Sequence, residues 1–340
     1  MSLKIAIHNY KDTFTQKIIK YCNKYNINYN LVNCYDNNII SILEGYEILI
    51  WIWNIDYPES YLFAKELIYA LEQKGIRVFP DFKSSLIYDN KISQKYLLES
   101  VNAPIVNTYI FYSKKNALHW IQKTKFPKVF KLSKGAGSNS VYLCKDQKEA
   151  KRLMDKAFNR GFSVFNRKEW FIDNMNKFLS HPSKITFQFF LRAIARLFIP
   201  TKREKTLGKE QGYLYFQDFI RDNSFDIRVI TIGNRAIAIK RVIRDNDFRA
   251  SGSGKIIYNK DEINIQTIKM AFDISEKLNF ICMAYDFIFK DNKPLIVEIS
   301  YHFSATAYNK CNGYWDKNLK WHQAIISPQN MIMEALLEKD

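Results

Sequence analysis

The chain has 340 residues, 47% hydrophobic and 15% aromatic, enough for a substantial core and two or three subdomains. Lysine and arginine outnumber aspartate and glutamate 51 to 34; the net charge of +17 favours polyanionic partners, and no zinc-finger, RRM or basic-zipper pattern makes it a nucleic-acid binder. Five scattered cysteines (Cys22, Cys34, Cys144, Cys282, Cys311) without a CxxC pair argue against structural zinc, and with no membrane-spanning run or signal-peptide pattern a cytoplasmic location is expected.

Residues 3–8 (LKIAIH) read as a strand, 13–25 as a helix and 29–34 (YNLVNC) as a second strand. EILIWIW at 47–53 is a continuous apolar run of the kind buried in a parallel sheet. A helix over 59–74 and a strand at IRVFP complete a β-α-β-α-β order, which predicts a small doubly wound α/β domain over residues 1–90. It carries no GxGxxG, so a dinucleotide fingerprint is absent.

DNKISQKYLLESVNAPIVNTYIF reads as helix, turn at Asn102–Pro104 and strand; KNALHWIQKT is a helix. FPKVFKLSKGAGSNSVYLC gives strand, glycine-containing loop and strand. Lys131 ahead of a small-residue loop is an arrangement that binds nucleotide phosphates through backbone N–H groups; an ordinary hairpin with a surface lysine is the plainer alternative.

Residues 147–212 are rich in Lys, Arg and Phe and helical in pattern. Phe187, Phe190, Leu191, Ile194, Leu197 and Phe198 keep helical spacing, with Arg192 and Arg196 on another face. Such a helix either packs on the protein's own core with its arginines reaching water, the reading we favour, or lies on an anionic membrane, which would place the protein at the membrane's inner face.

Strands return with YLYFQDFI, DIRVITIG and AIAIKRVIR, the last two joined by a turn at Gly233–Asn234–Arg235. FQDFI could offer a strand edge to adenine, with Asp218 or Asp226 for ribose hydroxyls; an amphipathic strand is the alternative. Arg228, Lys240, Arg241, Arg244 and Arg249 gather on strands beside the loop DNDFRASGSGK, suited to a transferring phosphoryl group or equally to a basic surface. After a helix over 264–278, CMAYDFIFKDNKPLIVEIS forms two apolar strands about a short polar turn, carrying Asp286 and Glu298. Two carboxylates among Ile, Leu, Val and Phe need a cation, supplied by Mg²⁺ with nucleotide phosphates or by surface salt bridges.

Taken in order, these elements resemble the ATP-grasp superfamily, in particular its branch like the ribosomal S6 glutamate ligase and glutathione synthetase, from about Asp89 to Ser300. The resemblance implies an α/β fold of α+β subdomains: a small ATP-grasp subdomain over 91–220 with a basic helical insertion at 147–212, and a large one over 221–340 with the metal site and an aromatic tail. It implies that Lys91, Lys131, Gly135, Gly137, Ser138, Gln217, Asp218, Phe219, Ile220 and Asp226 bind ATP. Arg228, Arg241 and Arg249 would serve catalysis, and Asp286, Glu298 and Ser300 would hold Mg²⁺. Ser251, Ser253, Tyr301 and His302 would face the substrate. Ser300 stands where the family places asparagine, and Tyr301-His302-Phe303 replaces its Pro-Gly.

The activity implied is ATP-dependent ligation of a carboxylate to an amine or amino acid through an acyl phosphate. A softer likeness to proteins of surface-polysaccharide gene clusters points to a uronic acid as the carboxylate, with Tyr301, Phe303, Trp315 or Trp321 stacking on the sugar. A peptide or protein-tail ligase of the same chemistry, and a non-catalytic nucleotide-binding scaffold, are the alternatives; a homodimer is compatible with either.

Overall fold

A computed structural model describes residues 3–54, 57–135, 141–243 and 255–338, without the side chains of Glu169 and Lys177. The chain opens with β1 (Ile5–His8), α1 (Thr13–Lys24), β2 (Tyr29–Val32), α2 (Ile39–Ile42), β3 (Ile48–Ile50), α3 (Ala64–Gln73), β4 (Arg77–Phe79) and α4 (Phe82–Ile87). Its four strands pair in parallel in the order β2-β1-β3-β4, the expected doubly wound layout. The strand of EILIWIW is confined to Ile48–Ile50; Trp51 and Trp53 stay fully buried beyond the sheet's edge, so the apolar run outlasts the ladder.

A second unit follows: α5 (Lys91–Ser100), β5 (Thr108–Phe111), α6 (Lys114–Lys123), β6 (Lys128–Lys131), β7 (Val141–Cys144) and α7 (Gln147–Asn159). Ala150, Met154 and Ala157 of α7 share a core with Phe130, Leu214 and Phe216, so this helix of the basic segment covers the small sheet. The segment continues through β8 (Phe162–Ser163), α8 (Arg167–Ser180), α9 (Lys184–Phe198), α10 (Lys202–Leu207) and β9 (Lys209–Glu210). Then β10 (Leu214–Asp218) inserts antiparallel between β5 and β6, so the chain returns to the sheet it left.

The expected packing of the 187–198 helix on the core does not hold. In α9 only Ala193 is buried, while Phe187, Leu191, Ile194 and Phe198 are exposed; the helix pairs with α8 and with little else.

The third unit holds β11 (Phe225–Ile232), β12 (Arg235–Val242), β13 (Ile256–Ile257), α11 (Ile265–Leu278), β14 (Cys282–Lys290), β15 (Lys293–Ser300), β16 (Gly313–Asp316), β17 (Trp321–Gln323) and α12 (Pro328–Leu337). Its sheet runs β15-β14-β11-β12-β16-β17, with β13 on β12. The acidic hairpin turns at Asp291 and Asn292, both at positive φ (51° and 62°), the geometry of a type I′ turn and one that Asp and Asn tolerate. Trp315 and Phe303 are buried, and Trp321 packs edge-on to Trp315 with ring centroids 4.4 Å apart; the aromatic tail builds core.

Candidate nucleotide and acyl-transfer site

Strand register assembles the charged groups. Arg228 on β11 lies opposite Asp286 on β14, and Asp286 lies opposite Glu298 on β15, so three strands contribute one row. One step along, Asp226 on β11 faces Arg241 on β12. Residues 226 and 228 share a face because strand side chains alternate; Ile227 and Val229 point into the core. Arg228 grips Asp286 with both ends of its fork, Nε to Oδ1 at 2.5 Å and Nη2 to Oδ2 at 2.7 Å. Arg241 holds Asp226 in the same bidentate way and reaches Asp286 Oδ1 at 3.1 Å.

Burial would raise the Asp286 carboxyl, but the charges and hydrogen bonds of Arg228 and Arg241 outweigh it and hold it at about 2. Asp226 goes the other way: burial dominates over its bond to Arg241 and pushes it up to about 6. The row therefore keeps one carboxylate firmly ionised, with two guanidiniums spread around it.

Two lysines enter from the second unit. Asn90 caps α5 through its side chain on Ser93 N–H, and Lys91 is the helix's first residue. The helix docks on β15, where Gln94 Oε1 accepts Ile299 N–H at 3.3 Å, and this brings Lys91 Nζ to 3.5 Å from Glu298 Oε1. Lys91 also donates to the Gly135 carbonyl at 3.0 Å. Lys131, at the end of β6, is buried and donates to Gln217 Oε1 on β10 at 2.6 Å. Its pKa is lowered to about 8, chiefly by burial, with Glu298 pulling up and Lys91 pushing down. A buried cation with so few anions near it is a site waiting for negative charge.

The start of the glycine loop is held by carboxylates. Gly135 N–H donates to Asp89 Oδ1 at 2.7 Å, and its φ of 134° lies where side chains are rarely tolerated. Ser133 and Lys134 N–H donate to the two oxygens of Glu210 at 2.8 and 2.7 Å. Asp89 is in turn clamped by Arg203 of α10 at 2.6 Å and by the Tyr61 hydroxyl. Arg203, Glu210 and Tyr61 were not singled out by sequence, and Asp89 only as the start of the family resemblance; each acts across long chain separations that periodicity does not report.

Several expected roles are revised. Asp218 is paired with Lys128 at 2.5 Å and Asn107 at 3.0 Å, and Asp226 with Arg241, so each carboxylate already has a cationic partner within the fold. The Ser300 hydroxyl closes its own turn, donating to His302 O at 3.0 Å and accepting His302 N–H at 3.1 Å, which turns it to the strand end. Tyr301 is buried between Trp53 and Tyr88 and donates its hydroxyl to the Trp53 carbonyl; it ties the first unit to β15. His302 sits half-buried beside Tyr88. Phe219 and Ile220 follow β10 and, with Phe126, Lys128, Asn223 and Phe289, line a cavity of about 860 Å³ whose lining includes neither Lys91 nor Lys131. Gly137, Ser138, Arg249, Ser251 and Ser253, with Arg244, lie outside the described residues.

Tyr308 is an addition. It is fully buried in the field of Arg228, Arg241 and Asp286, and among the described residues its hydroxyl has no hydrogen-bond partner. Burial raises its pKa, so it stands as a neutral hydroxyl beside the arginines.

Known proteins share the family pattern and the fold. A RimK-like ATP-grasp domain matches residues 200–315, and the ATP-binding domain of the carbamoyl-phosphate synthase L chain matches residues 90–199. The two matches adjoin and together span residues 90–315, and over that part the chain is similar to the ATP-grasp superfamily, on its RimK-like side. The RimK domain ATP-grasp protein of Sphaerobacter thermophilus superposes with a TM-score of 0.57 at 12% identity, covering 98% of this chain and 100% of that one. The biotin carboxylase domain of Hydrogenobacter thermophilus 2-oxoglutarate carboxylase, solved with MgADP, gives 0.59 at 12% identity over 100% of this chain and 71% of its own. In sequence, the alpha-aminoadipate–LysW ligase LysX of Saccharolobus solfataricus is 24% identical over 179 residues, 52% of this chain. The chain spans about half the length of that curated relative, 48%.

Proposed function

We propose that the protein is an ATP-dependent ligase joining a carboxylate to an amine or amino acid through an acyl phosphate. One observation carries this reading: Lys91 and Lys131 from one unit converge with the Arg228–Asp286–Glu298 row of another, leaving cationic groups ready for phosphate oxygens. Phosphoryl transfer needs positioning and charge neutralisation more than covalent help from the protein. Lys91 and Lys131 bind ATP phosphates, while the start of the glycine loop is braced by Asp89 and Glu210. Arg228 and Arg241 neutralise charge on the transferring group and on the oxyanion formed when the amine attacks. Tyr308 donates a hydrogen bond at the same place.

Mg²⁺ suits the donor set. Glu298 and Asp286 sit side by side on adjacent strands, and Mg²⁺ is commonly held by one or two carboxylates together with phosphate oxygens. Glu298 is the readier ligand, since Asp286 is shared by two arginines. Bound there, the ion would screen the phosphate charge during transfer.

For the substrate we put forward a sugar acid, with a peptide or protein tail as second reading; the name of LysX, which couples alpha-aminoadipate to LysW, favours the latter. Turnover of ATP with pooled amines and with either glycan acids or peptides separates them. ADP release unchanged in Lys131→Ala and Glu298→Ala would sink the ligase proposal, and tight ATP binding without ADP release would leave a nucleotide-binding scaffold.

A further inference from the structure

We propose that the α8–α9 hairpin is an interfacial docking element that beds an apolar face into an anionic lipid surface. Its seam is aromatic: Phe178 stacks on Phe190 with centroids 5.5 Å apart and touches Phe187, and Phe171 meets Phe190 at 5.9 Å. Along one edge of that seam α9 presents Phe187, which reaches into it, and Leu191, Ile194 and Phe198 beyond it, spaced i, i+4, i+7, i+11 and 44, 48, 37 and 79% exposed. On α8 the same spacing gives Lys168, Ile172, Met175 and Leu179, with Ile172 49% and Leu179 66% exposed. By the helical period and the antiparallel pairing, both stripes fall on one side of the hairpin. Ile185, 67% exposed, carries apolar surface around the tip.

Charge selects the occupant. No Asp or Glu occurs from Asn174 to Arg203, while nine Lys and Arg against three Asp and Glu lie between Arg167 and Leu207. A second copy would bring like charge to like charge; an anionic surface complements it. At the root, where the α8 stripe begins at Lys168, a cavity of about 610 Å³ is lined by Lys156, Lys168, Lys205 and Lys209, with Arg167 there paired to Glu204 at 2.8 Å, so four lysines remain as a setting for lipid phosphates. The hairpin cannot cross a bilayer. No helix among the described residues is long and apolar enough, and α9 at 15 residues is about 22 Å long against a hydrocarbon core of about 30 Å. It would lie in the interface plane.

The test is co-sedimentation of the full chain with vesicles of phosphatidylcholine alone, or of phosphatidylcholine and phosphatidylglycerol in equal parts. Wild type should pellet with the mixed vesicles and be released by high salt. Phe187→Ser/Leu191→Ser/Phe198→Ser should lose roughly tenfold or more in partitioning, and Lys168→Glu/Lys205→Glu about fivefold per charge. The second variant leaves the apolar stripe intact and guards against a folding defect in the first. Failure of wild type to pellet, or undiminished pelleting of both variants, overturns the proposal. So does a wild-type dimer that the triple variant dissolves without any lipid binding, since a second copy would then cover the face.

Discussion

The charged row on the third unit and the α8–α9 hairpin satisfy their side chains in opposite ways. In the row every acid has its cation within the fold: Asp286 has Arg228 and Arg241, Asp226 has Arg241, and Glu298 has Lys91. In the hairpin, side chains that would ordinarily be buried are held in the open by a seam that uses only part of their helices. The row's internal pairing is costly to disturb, because a buried charge left alone cannot reach water. The hairpin's outer face can be altered almost freely, so whatever selects it lies outside the fold.

Breaking the row should give the largest effect. Arg228→Ala removes both fork bonds to Asp286 and leaves a buried carboxylate, whose low pKa Arg228 helps to set, with only Arg241 beside it. We expect a loss of roughly 3–5 kcal/mol, the cost of orphaning one member of a buried pair. Urea unfolding checks it, and a loss under about 1 kcal/mol would mean that water or Arg241 replaces the partner.

Lys131 sharpens the comparison because its function and its stability pull apart. Lys131→Met should lower ATP turnover by about 10²–10³, as loss of one pre-placed phosphate donor does. Stability should change by no more than about 2 kcal/mol: removing a desolvated cation is favourable, while Gln217 Oε1 loses its partner at a cost of about 1–3 kcal/mol. The sign of the pH effect follows from a folded pKa of about 8 against an ordinary value of 10.5. The penalty for holding this cation is fully present below pH 8 and vanishes as pH rises through 10.5, so folding stability gains from Lys131 in that window. Phosphate binding moves the other way. The kcat/KM for ATP should fall above pH 8 as the free enzyme loses the proton, while kcat stays level because bound phosphates restore it. A kcat/KM flat to pH 9.5 would remove Lys131 from the phosphate site.

Arg203 is a buried-pair case away from the row: it is the second residue of α10 and holds the carboxylate that orders Gly135. Arg203→Ala should cost about 1.5–3 kcal/mol, the range for a hydrogen bond to a charged group. It should also raise the KM for ATP more than it lowers kcat, because the loop is loosened before ATP arrives. Equal effects on both would mean that the contact is structural only.

What sequence could reveal follows from how far each interaction reaches. The acidic hairpin was legible because alternation and the Lys290–Lys293 turn are local, but its full register was not: that turn alone would set Asp286 opposite Val297, and a bulge between Asp286 and Phe287 brings it opposite Glu298. Lys131 drew notice through its strand-loop setting and Lys91 through the family resemblance alone, and the fold sets both near Glu298. Arg203 on Asp89, spanning 114 positions, and Glu210 on Ser133 leave no periodic trace, and neither does the orphaned hydroxyl of Tyr308. The α9 helix was misjudged for a related reason: apolar spacing reports which residues share a face, but not whether the fold supplies anything to cover it. Residues 147–159 show the reverse, a basic stretch whose Ala150, Met154 and Ala157 close a core.

The smallest effect belongs to the hairpin's outer face. Phe187→Ser/Leu191→Ser/Phe198→Ser removes three large apolar side chains, a change that in a core would cost about 3–5 kcal/mol for each Phe alone. Here all three are between 44 and 79% exposed, and Phe198 has almost no surface left to lose to solvent. Phenylalanine and serine have similar helix propensities, and the capping boxes at Ser183 and Thr201 are untouched. The expected change is therefore within about 0.5 kcal/mol at Leu191 and at Phe198, and about 1 kcal/mol at Phe187, which also meets Phe178, and thermal unfolding should shift by only a few degrees at about 2–4 °C per kcal/mol. Phe178→Ala, inside the seam, should exceed it, because Phe178 stacks on Phe190 and contacts Phe187. A triple variant that melts earlier than Phe178→Ala would show the stripe packed in solution against part of the protein itself, and the contrast between the two regions would fall with it.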